Sequence, residues 1–149
     1  MSSEDKIREG VQPLLQAGEQ LVAAFVARPR GWTQQMAGSR LVGASQQGTS
    51  REAAAQAGFA LASPMALALT DQRLLSLSMG AQAGMGLGGG VKELVGQAPL
   101  AEVDSITAKR LLIGKVVEVS VHGTSFKLEV GAGANVQGVV DGFERLKRG

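Results

Sequence analysis

The stretch Val117-Glu118-Val119-Ser120-Val121-His122-Gly123-Thr124-Ser125-Phe126-Lys127-Leu128-Glu129-Val130 decides the architecture of this chain. Apolar residues fill alternate positions on either side of a Gly-containing turn, the period of strands that bury one face. With Gly123-Thr124 as a two-residue loop of type II′, Val121 faces Phe126, Val119 faces Leu128 and Val117 faces Val130. Every cross-strand pair on that face is then apolar. The same pairing sets Glu118 opposite Glu129, with Lys115 and Lys127 placed to relieve the repulsion. After Gly131-Ala132-Gly133 the period becomes helical. Val136, Val139, Val140, Phe143 and Leu146 make one stripe of a helix from Asn135 to Arg148. Its basic end suits the negative pole of the helix dipole.

Upstream, residues 100–106 read as a strand or turn-strand and residues 91–96 as a short strand. Gly80–Gly90 holds six glycines in eleven positions and predicts no regular element. Met65–Leu69 and Leu74–Met79 flank the turn residues Thr70-Asp71-Gln72-Arg73 and predict a hairpin. Residues 28–57 read as a loop-rich insertion, ordered or mobile, with a two-turn helix between Ser50 and Gly58. Glu19–Ala27 reads as a first strand or a helical continuation. Ile7, Val11, Leu14 and Leu15 share a helical face, and Pro13 ends that helix near 3–11. The expected organisation is an N-terminal helical extension over 1–18 and one domain over 19–149.

A chain of 149 residues suits a single domain. Aromatic residues are 3% of the chain, so the core must come from Val, Leu, Ile, Ala and Met. The absence of Cys removes disulfides, thiolate catalysis and Cys-ligated metals, and one histidine, His122, removes a His-rich site. No cofactor or metal is expected. Fifteen Lys+Arg against thirteen Asp+Glu give a net charge of +2, without the dense basic stripe or stacking aromatics of a nucleic-acid binder. The polar start of the chain and the lack of a long apolar run lead to the expectation of a cytoplasmic protein with no transmembrane segment.

Leu69-Thr70-Asp71-Gln72-Arg73-Leu74-Leu75, followed by Pro99-Leu100-Ala101-Glu102-Val103-Asp104-Ser105-Ile106, the Val-rich hairpin and the C-terminal helix, resembles bacterial pleckstrin-homology-like (PH-like, GRAM-type) domains. The resemblance covers residues 59–148, and 19–27 more loosely. It implies a mainly β, α+β fold: a bent antiparallel sheet, partly closed into a barrel and capped by the C-terminal helix. It implies no reaction, since such domains bind lipids, peptides or copies of themselves.

Gly84-Met85-Gly86-Leu87-Gly88-Gly89 matches a dinucleotide-loop spacing, but Pro99 leaves too little room for the helix that loop needs, so it reads as a flexible connection. His122 reads as a solvated turn residue with no acid or nucleophile beside it. Two binding surfaces are expected of a non-enzymatic module. The first is protein contact or homo-oligomerisation through strand edges or the stripe Ile7, Val11, Leu14 and Leu15, which would pack on the chain's own sheet or on another copy. The second is contact with an anionic lipid or phosphate through Arg28, Arg30, Trp32, Arg40 and Arg51, since Arg binds phosphate in bidentate fashion.

Overall fold

The computed structural model describes residues 3–29, 54–56, 58–61, 65–80, 91–110, 114–131 and 135–148. Helix α1 (Ser3–Val11) is followed by a 3-10 turn at Gln12–Leu14 with Pro13 in its first turn. Seven strands follow: β1 (Leu21–Pro29), β2 (Met65–Thr70), β3 (Arg73–Met79), β4 (Val91–Pro99), β5 (Val103–Arg110), β6 (Lys115–Val121) and β7 (Thr124–Val130). Helix α2 (Val136–Arg148) closes the chain. Glu19–Ala27 thus resolves as a strand displaced by two residues, and the helical turn within 50–58 is seen at Ala54–Gln56.

The strands form one antiparallel sheet in the order β4-β3-β2-β1-β7-β6-β5. β1 joins its two halves, pairing with β2 along most of its length and with β7 only through Arg28↔Glu129 and Pro29↔Leu128. The sheet is bent and carries a C-terminal helix, as expected, and it stays open rather than closing into a barrel. β4 and β5 are its two edges, because Pro99 and a 3-10 turn at Leu100–Glu102 turn the chain away between them instead of making a hairpin.

The halves are covered differently, and composition explains why. Met65, Leu67, Leu69 and Leu74 face the main core with Phe25, Phe126, Leu128, Val139 and Phe143. Ala24, Ala66, Ala68, Leu75 and Leu77 face the other way, against Ile7 and Val11 of α1. All six residues of β2 are therefore buried, the mark of a strand covered on both faces. Alanines on the α1 side let the helix approach the sheet closely. At Gly10 a methyl group would lie 2.7 Å from Val91 Cβ, so glycine lets α1 sit against β4. β5 to β7 send their main-core residues to one face, although Val116 and Glu129 on the other face are also buried, and β6 keeps the alternation read from its sequence over 117–121.

α2 packs Val136, Val139 and Phe143 into the main core, and Asn135 caps it by accepting the Gly138 N–H at 3.1 Å. A methyl at Gly142 would lie 2.7 Å from Val22 Cγ1, so glycine allows this contact between helix and sheet. Phe59 and Leu61 also enter the main core, and Phe59 stacks on Phe126 with centroids 5.5 Å apart.

Candidate functional site

The β6–β7 hairpin forms with a register two residues from the expected one. Val121 pairs with Thr124, Val119 with Phe126 and Val117 with Leu128. The loop is His122-Gly123, with φ of 53° and 79°, so both loop residues are left-handed, as type I′ requires. Strand parity survives the shift and the apolar face stays inward. The opposed carboxylates do not: Glu118 pairs with Lys127 and Glu129 with Val116. His122 does have an acid beside it. Its Nε2 lies 2.9 Å from Glu102 Oε1, both side chains being close to half exposed. Asp104 Oδ2 accepts the Gly123 N–H at 2.7 Å. This cluster ties the turn to the start of β5.

The most buried charged residue among those described is Glu19. Its Oε2 accepts Arg73 Nε at 2.8 Å and Thr70 Oγ1 at 2.6 Å, and its Oε1 accepts Arg73 Nη2 at 3.0 Å and the Gln16 N–H at 2.9 Å. Arg73 also donates to Gln97 Oε1 and to Leu14 O. Burial, the largest single influence, pushes the Glu19 carboxyl up. The hydrogen bonds from Arg73, Thr70 and Gln16, with the Arg73 charge, outweigh it and hold the group at about 2, down from 4.5. Thr70 Oγ1 accepts the Gln72 and Arg73 N–H groups, and Asp71 Oδ1 accepts that of Gln20. The Thr70–Arg73 motif thus fastens the N-terminal extension to the sheet. Every strong donor in it is engaged, which makes it structural.

Of the expected anion ligands, the structure places only Arg28, half-buried near the end of β1. Burial lowers its pKa. Arg30, Trp32, Arg40 and Arg51 lie outside the described residues, as does the loop 81–90. Ile7 and Val11 are fully buried on the chain's own sheet, while Leu14 and Leu15 pack partly exposed at its margin.

The edges of the sheet differ. Along β4, Gly10 of α1 abuts Val91, and the Phe59–Ala60 backbone crosses Gly96 so closely that a methyl there would lie 2.7 Å from Ala60 N. Along β5, Thr107, Ala108, Lys109 and Arg110 are all exposed, and no further strand pairs beyond them among the described residues. One cross-strand row runs Lys109, Val116, Glu129, Arg28, and the last rung of β5–β6 sets Arg110 directly opposite Lys115. Lys109, Arg110 and Lys115 make no ion pair or hydrogen bond with another described side chain. Reading the sequence missed this cationic corner, because Thr107–Arg110 lacks the alternation by which a half-buried strand is recognised. The dibasic Lys109-Arg110 beside Lys115 was the available signal.

The seven-stranded antiparallel sheet followed by a C-terminal helix is the arrangement that the PH-like resemblance of the sequence implies. Among solved structures, the chain is similar to a DUF1696 family protein with a pleckstrin-homology domain from Shewanella loihica PV-4, at 12% identity over 95% of this chain and 91% of that one, with a TM-score of 0.48. It is also similar to a pleckstrin homology domain from Shewanella amazonensis SB2B, at 12% identity over 99% and 90% of the two chains, with a TM-score of 0.49. No protein-family model matches the chain, and no curated protein matches it. Among the described residues no helix is long and apolar enough to cross a membrane.

Proposed function

We propose that the chain is a non-enzymatic binding module that takes an extended segment of a partner protein as an added strand on β5. The contrast between the two edges carries this reading. β4 is flanked by α1 and crossed by Phe59–Ala60; α2 packs against β5 as well, in the core that holds Val103 and Ile106, but the residues from Thr107 to Arg110 are exposed. Main-chain groups on such an edge supply hydrogen bonds to any extended chain, and alternate side chains supply selectivity. Four exposed strand residues span about 13 Å, room for a short segment.

Hydrogen exchange tests this directly. The intact chain is offered a displayed library of random short peptides, and the selected binders are added back as free peptides. Slowed exchange confined to the amides of 103–110 is the expected result. Binders that protect only other elements, or a selection that yields none, would overturn the reading.

A further inference from the structure

The terminal rung of the β5 edge opposes two cations, Arg110 and Lys115, with Lys109 on the next rung. Like charges set directly across a ladder are destabilising, and none of the three makes an ion pair or hydrogen bond with a described residue; Glu118, diagonal to Lys109, sits directly opposite Lys127. The sequence holds little to do so elsewhere: the undescribed segments contain one acidic side chain, Glu52, alongside Arg30, Arg40 and Arg51. Arg28 shares the outer row with Lys109, and Glu129 is the only acid in that row.

Register assigns each exposed β5 residue to a face. Ala108 continues the inner row through Val117 and Leu128, both fully buried. Arg110 shares that face, while Thr107 and Lys109 belong to the outer one. A strand laid against β5 therefore meets a cation on each face at two successive positions, then a small side chain at the end of an apolar row.

Resting on the strand-addition reading, we propose that the partner segment is acidic. It carries two adjacent carboxylates, set against Arg110 and Lys109. For antiparallel addition these precede a β-branched or aromatic residue that extends the Val117–Leu128 row beyond Ala108. Charge complementarity favours this occupant over a second copy paired through the exposed residues 107–110, because antiparallel self-pairing there would crowd Lys109 and Arg110 of both edges into four rungs.

The test uses the intact chain and two synthetic extended peptides, one with adjacent glutamates ahead of a valine and one with glutamines in their place. The diglutamate peptide is expected to bind roughly tenfold more tightly, to weaken as salt is raised, and to slow exchange over 103–110. The double variant Lys109→Ala/Arg110→Ala alters two exposed side chains and removes the Arg110–Lys115 repulsion, so it is expected to melt no lower than wild type while losing that preference. Equal binding of both peptides at β5 would sink the acidic partner and leave strand addition standing. If neither peptide protects β5, both ideas fall. Vesicles of phosphatidylserine and phosphatidylcholine form the last arm. If wild type binds them, the double variant does not, and neither peptide binds, the corner is a lipid contact and the proposal is overturned.

Discussion

At Glu19 a carboxylate with no side-chain exposure lies 2.8 Å from Arg73 Nε, and its partners arrive from three places in the chain: Gln16, Thr70 and Arg73. Because its folded pKa is about 2 against 4.5, the stabilisation is complete above the ordinary carboxylate range and is lost as pH falls through that interval. The loss should amount to roughly 3 kcal/mol. Urea unfolding between pH 5 and pH 2 should show this slope in wild type, and Glu19→Gln should flatten it. Arg73→Met, which strands the carboxylate, should cost about 3–5 kcal/mol at neutral pH. The residues Thr70-Asp71-Gln72-Arg73 were legible as a turn. Their role as a fastening was not, since Arg73 and Glu19 are 54 positions apart. His122 shows a similar limit. Gly123-Thr124 and His122-Gly123 both satisfy local turn chemistry, and the choice goes with contacts from Glu102 and Asp104 on a neighbouring element.

Elements behave according to what lies on each side of them. β4 reaches Pro99, beyond the short strand expected from its sequence, and skips Val95 between Leu94 and Gly96, which pair with the consecutive residues Leu77 and Ser76 of β3. Such a bulge re-aims a strand, and here Gly96 is the residue the Phe59–Ala60 backbone crosses. Gly96→Ala sets a methyl 2.7–2.8 Å from backbone N and O of Ala60, a clash that side-chain rotation cannot relieve. It should destabilise by about 1–3 kcal/mol in a urea titration and make 58–61 more accessible to limited proteolysis. Gly142 faces a side chain, Val22, rather than backbone. The helices were readable nearly to the residue, since α1 and α2 each bury one stripe and the 3.6 period records it. The tail of β5 was not, because an edge strand exposed on both faces has no reason to alternate.

For the whole molecule, the unequal covering of the sheet predicts unequal stability. β2 is buried along its whole length and β3 nearly so, each between α1 and the main core. β5 is buried only at Val103 and Ile106. Native-state hydrogen exchange should find the slowest amides in 66–69 and 74–77, near the global unfolding limit. The fastest strand amides should lie in 107–110, opening at a free energy lower by several kcal/mol. Uniform protection across the seven strands would contradict this gradient. The edge proposed for strand addition is thus the least covered part of the sheet, and a strand able to accept a neighbour must leave its ladder groups free.

The sequence by itself determined the local periods: the two helices, most strands, the hairpin parity and a core built without many aromatics. Each of these follows from which side chains recur on one face, and that is a property of neighbours along the chain. Tertiary structure decided which turn closes the last hairpin, which acid meets Arg73, which edge of the sheet is covered and where unpaired cations gather. Those outcomes depend on segments tens of residues apart meeting in space. A register row such as Lys109, Val116, Glu129 and Arg28 exists only once four strands have paired.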